Sequence, residues 1–413
     1  MTPPTLVSPN SHTFVPWIAW LRIFAMLLVC IAHACDPLSM YGTADQKLWI
    51  EVWGSFVRPC VPLFVMMTGA LLLPIHEGMG TFYKKRIGRI LWPFLIWNVF
   101  YAAMPWVLTQ FGVTAHDIQY TFFPYGNPLR TTALGFVQSA ALSPLQFSQY
   151  AVHLWYVFLL IGLYLFMPIL SAWIAQASQR AKLAFLGLWG ITLVLHFFPL
   201  ALEAAMKTST GAFFLGDYVT RFLGENYSGL ASQDFPGAYA LLGQCDWNTM
   251  GTFTAFSGFA GYLVLGHLLK DVRLSLKKTL ALALPLFLVG YAIVGFGSHW
   301  MWGRPDGTAR MAELFFWYCS LPVAMMASAI FLLARHVTYA PPKVAAWLKD
   351  FGTCGFGIYC AHYLFVASFY YLMSKVPCPN GLRLPLVALL ALAATWSVIH
   401  VLSKIPKSKY FIG

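Results

Sequence analysis

The chain has 413 residues, of which 59% are hydrophobic and 17% aromatic but only 10% charged, against roughly 25% charged in an average soluble domain. That balance excludes a water-soluble fold: a bilayer core roughly 30 Å thick takes about 20 mostly apolar residues per spanning helix, and such windows run nearly end to end. The net charge of +12 does not describe a nucleic-acid surface. The cations sit in short clusters between apolar windows, at Lys84 to Arg89, Lys270 to Lys278 and Lys404 to Lys409, where membrane topology accounts for them.

Residues 1–14 carry no Lys or Arg and do not resemble the charged start of a cleaved signal peptide, so the first apolar segment is expected to remain as a helix. Apolar length and Gly, Pro or charge punctuation predict helices over 15–34, 52–73, 88–109, 151–174, 182–202, 248–269, 278–298, 311–335, 352–373 and 383–403. The expectation is an all-α polytopic membrane bundle of about ten transmembrane helices, one domain over 1–413. Loops after the even-numbered helices hold most of the Lys and Arg, from Lys84, Lys85, Arg86 and Arg89 through Arg180, Lys270 and Arg273 to Lys343 and Lys404. By the positive-inside rule both termini are cytoplasmic, and the long segments 110–150 and 203–247 lie outside or line the outer mouth. The first of these, with Trp106, Tyr120, Phe122, Phe123 and Tyr125, is aromatic enough to lie along the interface. Asn226-Tyr227-Ser228 is formally a glycosylation acceptor, meaningful only in a secretory pathway.

Ionisable side chains at mid-membrane cost about 2.5–3.5 kcal/mol on insertion scales, so each is a functional candidate. The first helix holds Arg22 and His33, eleven residues apart. At about 100° and 1.5 Å per residue they share one face, roughly 16 Å apart along the axis. Asp36, one turn beyond His33, is placed to orient its imidazole. In the second helix Arg58 precedes Pro59 and Pro62. These prolines free backbone carbonyls beside a guanidinium, an arrangement tolerable only against a polar cavity or another helix. At the entrance of the third helix, Arg86 and Arg89 share a helical face and suit the phosphates of an anionic ligand. His153 with Trp155, Tyr359 with His362, and Glu313 beside Arg310 all fall at the same outer level as His33 and predict a polar chamber there. His196, His267 and His400 read as packing or interface residues. The eight cysteines contain no C-x-x-C, and no H-x-x-x-H or H-E-x-x-H occurs, so neither redox chemistry nor a metal is expected. Cys245 and Cys378 fall in outer loops where a disulfide is permitted, although small buried apolar side chains are the default for cysteines here.

In this order, Arg22 to His33, Arg58 through Pro62-Leu63-Phe64 to Thr68-Gly69, Lys84 to Ile90 followed by Pro93, His153-Leu154-Trp155-Tyr156 with Pro168, Tyr262 with Gly266, and Tyr359 with His362, the sequence resembles the acyltransferase-3 family of integral membrane acyltransferases. It is most similar to the branch containing the enterobacterial common antigen O-acetyltransferase. Thr68 stands where that family usually has Ser, and Tyr363 follows His362 where Pro is frequent. The resemblance implies a multi-pass protein of the inner cell membrane, an O-acyltransferase and more narrowly an acetyl-CoA-dependent O-acetyltransferase. It takes acyl-CoA from the cytosol and acylates a hydroxyl of a glycan or lipid-linked saccharide at the outer face, among membrane lipids, with no nucleic-acid partner and no tightly bound cofactor. On this reading Arg22, Arg86 and Arg89 meet the donor, His33 is the general base or a transient acyl carrier, with the base favoured, Asp36 supports it, and Arg58 stabilises the oxyanion. The rival class is a transporter or flippase for a glycan or small metabolite, which buried charge alone does not separate from an enzyme.

Overall fold

The computed structural model describes residues 14–126, 129–142, 149–195, 197–213, 252–304 and 309–413. Every element in them is helical. The helices are α1 (Pro16–Tyr41), α2 (Ala44–Val57), α3 (Cys60–Leu72), α4 (Met79–Gln110), α5 (Ala133–Ala141), α6 (Trp155–Gln176), α7 (Gln179–Leu195), α8 (Phe198–Met206), α9 (Ala260–Leu269), α10 (Leu276–Trp302), α11 (Ala309–Phe316), α12 (Leu321–Ala334), α13 (Pro342–Ser374) and α14 (Asn380–Ser403). Among the described residues, eight spans are long and apolar enough to cross a membrane, two of them each joining two of these helices, and α7 with α8, bent by 49°, makes a ninth when the pair is counted as one span. Each predicted window thus has a helical counterpart. The 248–269 window shrinks to the ten residues of α9, and the 311–335 window breaks between α11 and α12.

Burial explains why α1 carries the chemistry. It packs against α2, α3, α12, α13 and α14, and 61% of its apolar window is buried inside the protein against 22% for α10. Helices enclose most of α1, leaving Trp20 exposed at its edge, and Arg22 and His33 face the cavity inside the bundle. The helix also runs longer than its apolar stretch predicts, through Asp36 and Pro37 to Tyr41. Pro37 lacks the N–H that would bond the His33 carbonyl one turn back, which loosens the backbone beside the imidazole without ending the helix. The α2–α3 span breaks at Arg58-Pro59. Pro59 and Pro62 have no N–H for the carbonyls of Ser55 and Arg58, and Arg58 Nε donates instead to the Gly54 carbonyl at 2.8 Å.

The Thr68-Gly69 and Tyr262-to-Gly266 motifs have a packing meaning. A Cβ at Gly69 would come within 2.1 Å of the Leu263 carbonyl oxygen, and one at Gly266 within 2.1 Å of the Met66 carbonyl oxygen. The two glycines are reciprocal contacts that let α3 and α9 touch backbone to backbone, the small-residue packing by which membrane helices associate. Gly69→Ala gains about 1 kcal/mol of helix propensity but forces the helices apart, at about 1–3 kcal/mol or more for overpacking. We expect both Gly69→Ala and Gly266→Ala to lower the thermal unfolding temperature in detergent. An unchanged melting profile refutes the close crossing.

The aromatic 110–150 stretch includes a short helical segment ending in a π-turn at Ile118–Phe122, and α5, which packs along α4. Trp106 stacks on Phe136 with centroids 6.2 Å apart. From residue 214 the 203–247 segment lies outside the described residues, as do His196, Asn226-Tyr227-Ser228 and the Cys245 half of the Cys245–Cys378 pairing.

Candidate active site

One cavity of about 400 Å³ connects nearly all the candidate residues. Its walls hold Arg22, Arg86 and Arg89, then the largely apolar Met26, Val29, Ile90, Phe64 and Leu160, then His33, Asp36, Arg58, His153, Trp155 and Glu313. Because Arg22 and His33 are eleven residues apart on a continuous helix, the cavity follows α1 for roughly 16 Å.

At the arginine end three helices converge. Arg22 on α1 faces Arg86 and Arg89 on α4, and Tyr164 on α6 lies within electrostatic reach of all three. Arg86 and Arg89 sit inside α4, which begins at Met79 rather than near residue 88, so the cationic run is helical throughout. Arg86 Nε is buried with no hydrogen-bond partner among the described residues. Gly352 on α13 makes room for the cluster, since a Cβ there would lie 2.7 Å from Arg22 Nη1. Like charges gathered in an apolar bundle repel one another unless an anion joins them.

At the other end His33 Nδ1 lies 2.8 Å from Asp36 Oδ2, and the Tyr125 hydroxyl donates to Asp36 Oδ1 at 3.1 Å. A carboxylate only accepts, so in the neutral imidazole Nδ1 carries the proton and Nε2 the lone pair. Two more imidazoles pack beside this one. His362 is 5.3 Å from His33 and 5.1 Å from His153 between ring centroids, and His33 and His153 are 6.2 Å apart. His153 Nε2 faces the Cys360 carbonyl at 3.1 Å and His362 Nδ1 faces the Tyr359 carbonyl, which fixes both tautomers by the same logic. The opposite nitrogens, His153 Nδ1 and His362 Nε2, are buried without a hydrogen-bond partner among the described residues. His362 stands behind His33 and does not itself line the cavity. Tyr359 donates its hydroxyl to the His153 carbonyl. Trp155 stacks on Tyr318 at 5.7 Å, and the Arg58 guanidinium lies 4.3 Å over the Phe316 ring. Glu313 has its accessible surface in this cavity, within electrostatic reach of Arg58 and Asp36. The Arg310 side chain lies outside the described residues.

Sequence reasoning missed Tyr125, Tyr164, Tyr318 and Gly352. It noted Tyr363 only as a departure, yet that ring stacks on His153 at 4.9 Å and meets His33 edge-on at 5.0 Å. The Thr68 hydroxyl lines the cavity and donates to the Phe64 carbonyl at 2.9 Å. For Tyr125 the only signal was the aromatic density of its segment. A hydrogen bond to a charged group contributes about 1.5–3 kcal/mol, so Tyr125→Phe is expected to slow turnover by about tenfold or more with donor KM unchanged. An unchanged turnover number removes Tyr125 from the site.

The arrangement offers a base with a free lone pair at one end of a channel and a cationic pocket at the other, suited to moving a group between an anionic carrier and a hydroxyl. No curated protein and no solved structure matches the chain, and the branch of the enterobacterial common antigen O-acetyltransferase finds no support among the comparisons. The family model described as an acyltransferase domain does match, over residues 15–402. With that match spanning nearly the whole chain, and with the bundle and site described above, the protein belongs to the acyltransferase-3 family and is a multi-pass membrane acyltransferase.

Proposed function

We propose that the protein is an O-acyltransferase, most narrowly an O-acetyltransferase, that takes the acyl group of a cytosolic acyl-CoA and delivers it to a hydroxyl of a glycan or lipid-linked saccharide at the outer face of the inner cell membrane. The observation that carries this reading is the single cavity joining the three arginines to the His33–Asp36 pair. With both termini cytoplasmic, the arginine end opens inward and would hold the phosphates of coenzyme A. The apolar middle of the cavity suits the pantetheine arm, and the thioester then lies near His33.

In this mechanism His33 Nε2 accepts the proton of the acceptor hydroxyl, whose oxygen attacks the thioester carbonyl carbon. Arg58 stabilises the oxyanion of the tetrahedral intermediate. The carbon–sulfur bond breaks, and the imidazolium returns its proton to the departing thiolate. Asp36 holds the imidazole in the tautomer that starts the cycle and steadies its cationic form.

The test compares surface glycans of cells with and without the protein by mass spectrometry, alongside binding of radiolabelled acetyl-CoA to the purified protein. The expected result is an acetyl mass difference on a glycan together with saturable donor binding. Glycans identical in mass, with no donor bound, overturn the reading and leave transport of an unmodified glycan as the activity.

A further inference from the structure

Asp350, Cys354 and His400 place a carboxylate oxygen, a thiol sulfur and an imidazole nitrogen all within 4.8 Å of one another. Asp350 and Cys354 are four residues apart on α13 and therefore share a face. That face lies about 200° around the helix from Gly352, which abuts Arg22, so the cluster sits on the far side of α13 from the cavity, against α14. His400 comes from α14, one turn beyond Trp396.

We propose that these three side chains form a zinc site clamping α13 to α14, independent of the acyl-transfer reading. The donor set of thiolate, imidazole and carboxylate is that of zinc, whose ligands bond at about 2.0–2.3 Å, and three protein ligands leave a fourth position for water. The supporting hydrogen bonds are in place. Trp396 Nε1 donates to Asp350 Oδ2 at 2.9 Å, which orients the carboxylate with its oxygens toward His400. Cys354 is buried beside the end of α14, where Ser403 donates its hydroxyl to the His400 carbonyl at 2.7 Å. His400 and Asp350 keep 33% and 30% of their side-chain surface accessible, which gives an ion a way in. His400 Nδ1 now contacts Asp350 Oδ1 at 2.8 Å. On coordination Nδ1 gives its lone pair to the metal, the ring proton moves to Nε2, and the Cys354 thiol releases one proton to solvent. No motif spacing revealed these ligands because they come from two helices.

Full-length protein purified without chelator should contain about one zinc per chain by elemental analysis. Chelation followed by addition of cobalt(II) should give the visible bands of tetrahedral cobalt and a near-ultraviolet thiolate charge-transfer band. Cys354→Ser should remove the charge-transfer band, and His400→Ala should lower zinc content at least tenfold. A wild-type protein that takes up neither ion overturns the proposal and leaves an Asp350–His400 hydrogen bond. Metal retained equally in both variants overturns it as well, by placing the ion elsewhere. The wild-type cobalt spectrum decides the matter even where a variant fails to fold.

Discussion

His33→Ala is expected to abolish acyl transfer while leaving acyl-CoA binding measurable. A positioned general base contributes about 10²–10⁴-fold to rate, and among the described residues the alanine removes the one cavity-lining imidazole whose other nitrogen is held by a carboxylate. His153 and His362 also present lone pairs, but each is fixed by a backbone carbonyl and deeply buried. Neither has a carboxylate on its other nitrogen to steady the imidazolium that base catalysis forms. On the proposed function the donor's anionic end would be held roughly 16 Å away along α1, so its affinity should change little. The measurement is equilibrium binding of radiolabelled acetyl-CoA beside single-turnover transfer to a glycan extract. Transfer within threefold of wild type sinks the base assignment, and loss of donor binding means that His33 supports the fold. Asp36→Asn should keep the shape of the site yet slow transfer strongly, because an amide can present its N–H₂ to Nδ1 and favour the wrong tautomer.

How far the site was legible follows from what a helix conveys on its own. Arg22 and His33 were recognisable because both lie on one helix, where periodicity converts spacing into a shared face, and Asp36 because it is one turn away. The fold class was legible for the same reason, since each span announces itself by apolar length. Helix limits were less so. α1 continues through Pro37, and α4 begins nine residues before its apolar stretch, because neighbouring helices and the aqueous ends sustain polar helical turns that hydropathy does not register. Contacts between distant segments left no trace. Tyr125 reaches Asp36 across 89 residues, and His362 meets His33 only after α13 packs on α1. Gly69 and Gly266 were visible as motifs, but their purpose, two backbones in contact, needed both helices in place.

Arg86→Ala and Arg89→Ala should each weaken donor binding by about ten- to a hundredfold, the range corresponding to about 1.5–3 kcal/mol for a hydrogen bond to a charged group. The salt dependence carries the sign. The charge interaction is strongest where screening is weakest, with a Debye length of about 30 Å at 0.01 M against about 10 Å at 0.1 M. The ratio of wild-type to variant affinity should therefore be largest at low ionic strength and shrink as salt rises. An Arg that merely packs against α6 through its stem would give a ratio independent of salt. Gly352→Ala separates positioning from charge, because it leaves every arginine in place. Its Cβ would press on Arg22 Nη1, the free end of a flexible side chain, so the guanidinium can move aside at little cost in folding energy. Added helix propensity of about 1 kcal/mol should keep stability equal or raise it, while donor KM rises several-fold and the turnover number holds. A stable Gly352→Ala protein with unaltered donor KM would show that Arg22 does not need its present position to hold the donor, and would shift that task to Arg86 and Arg89 alone.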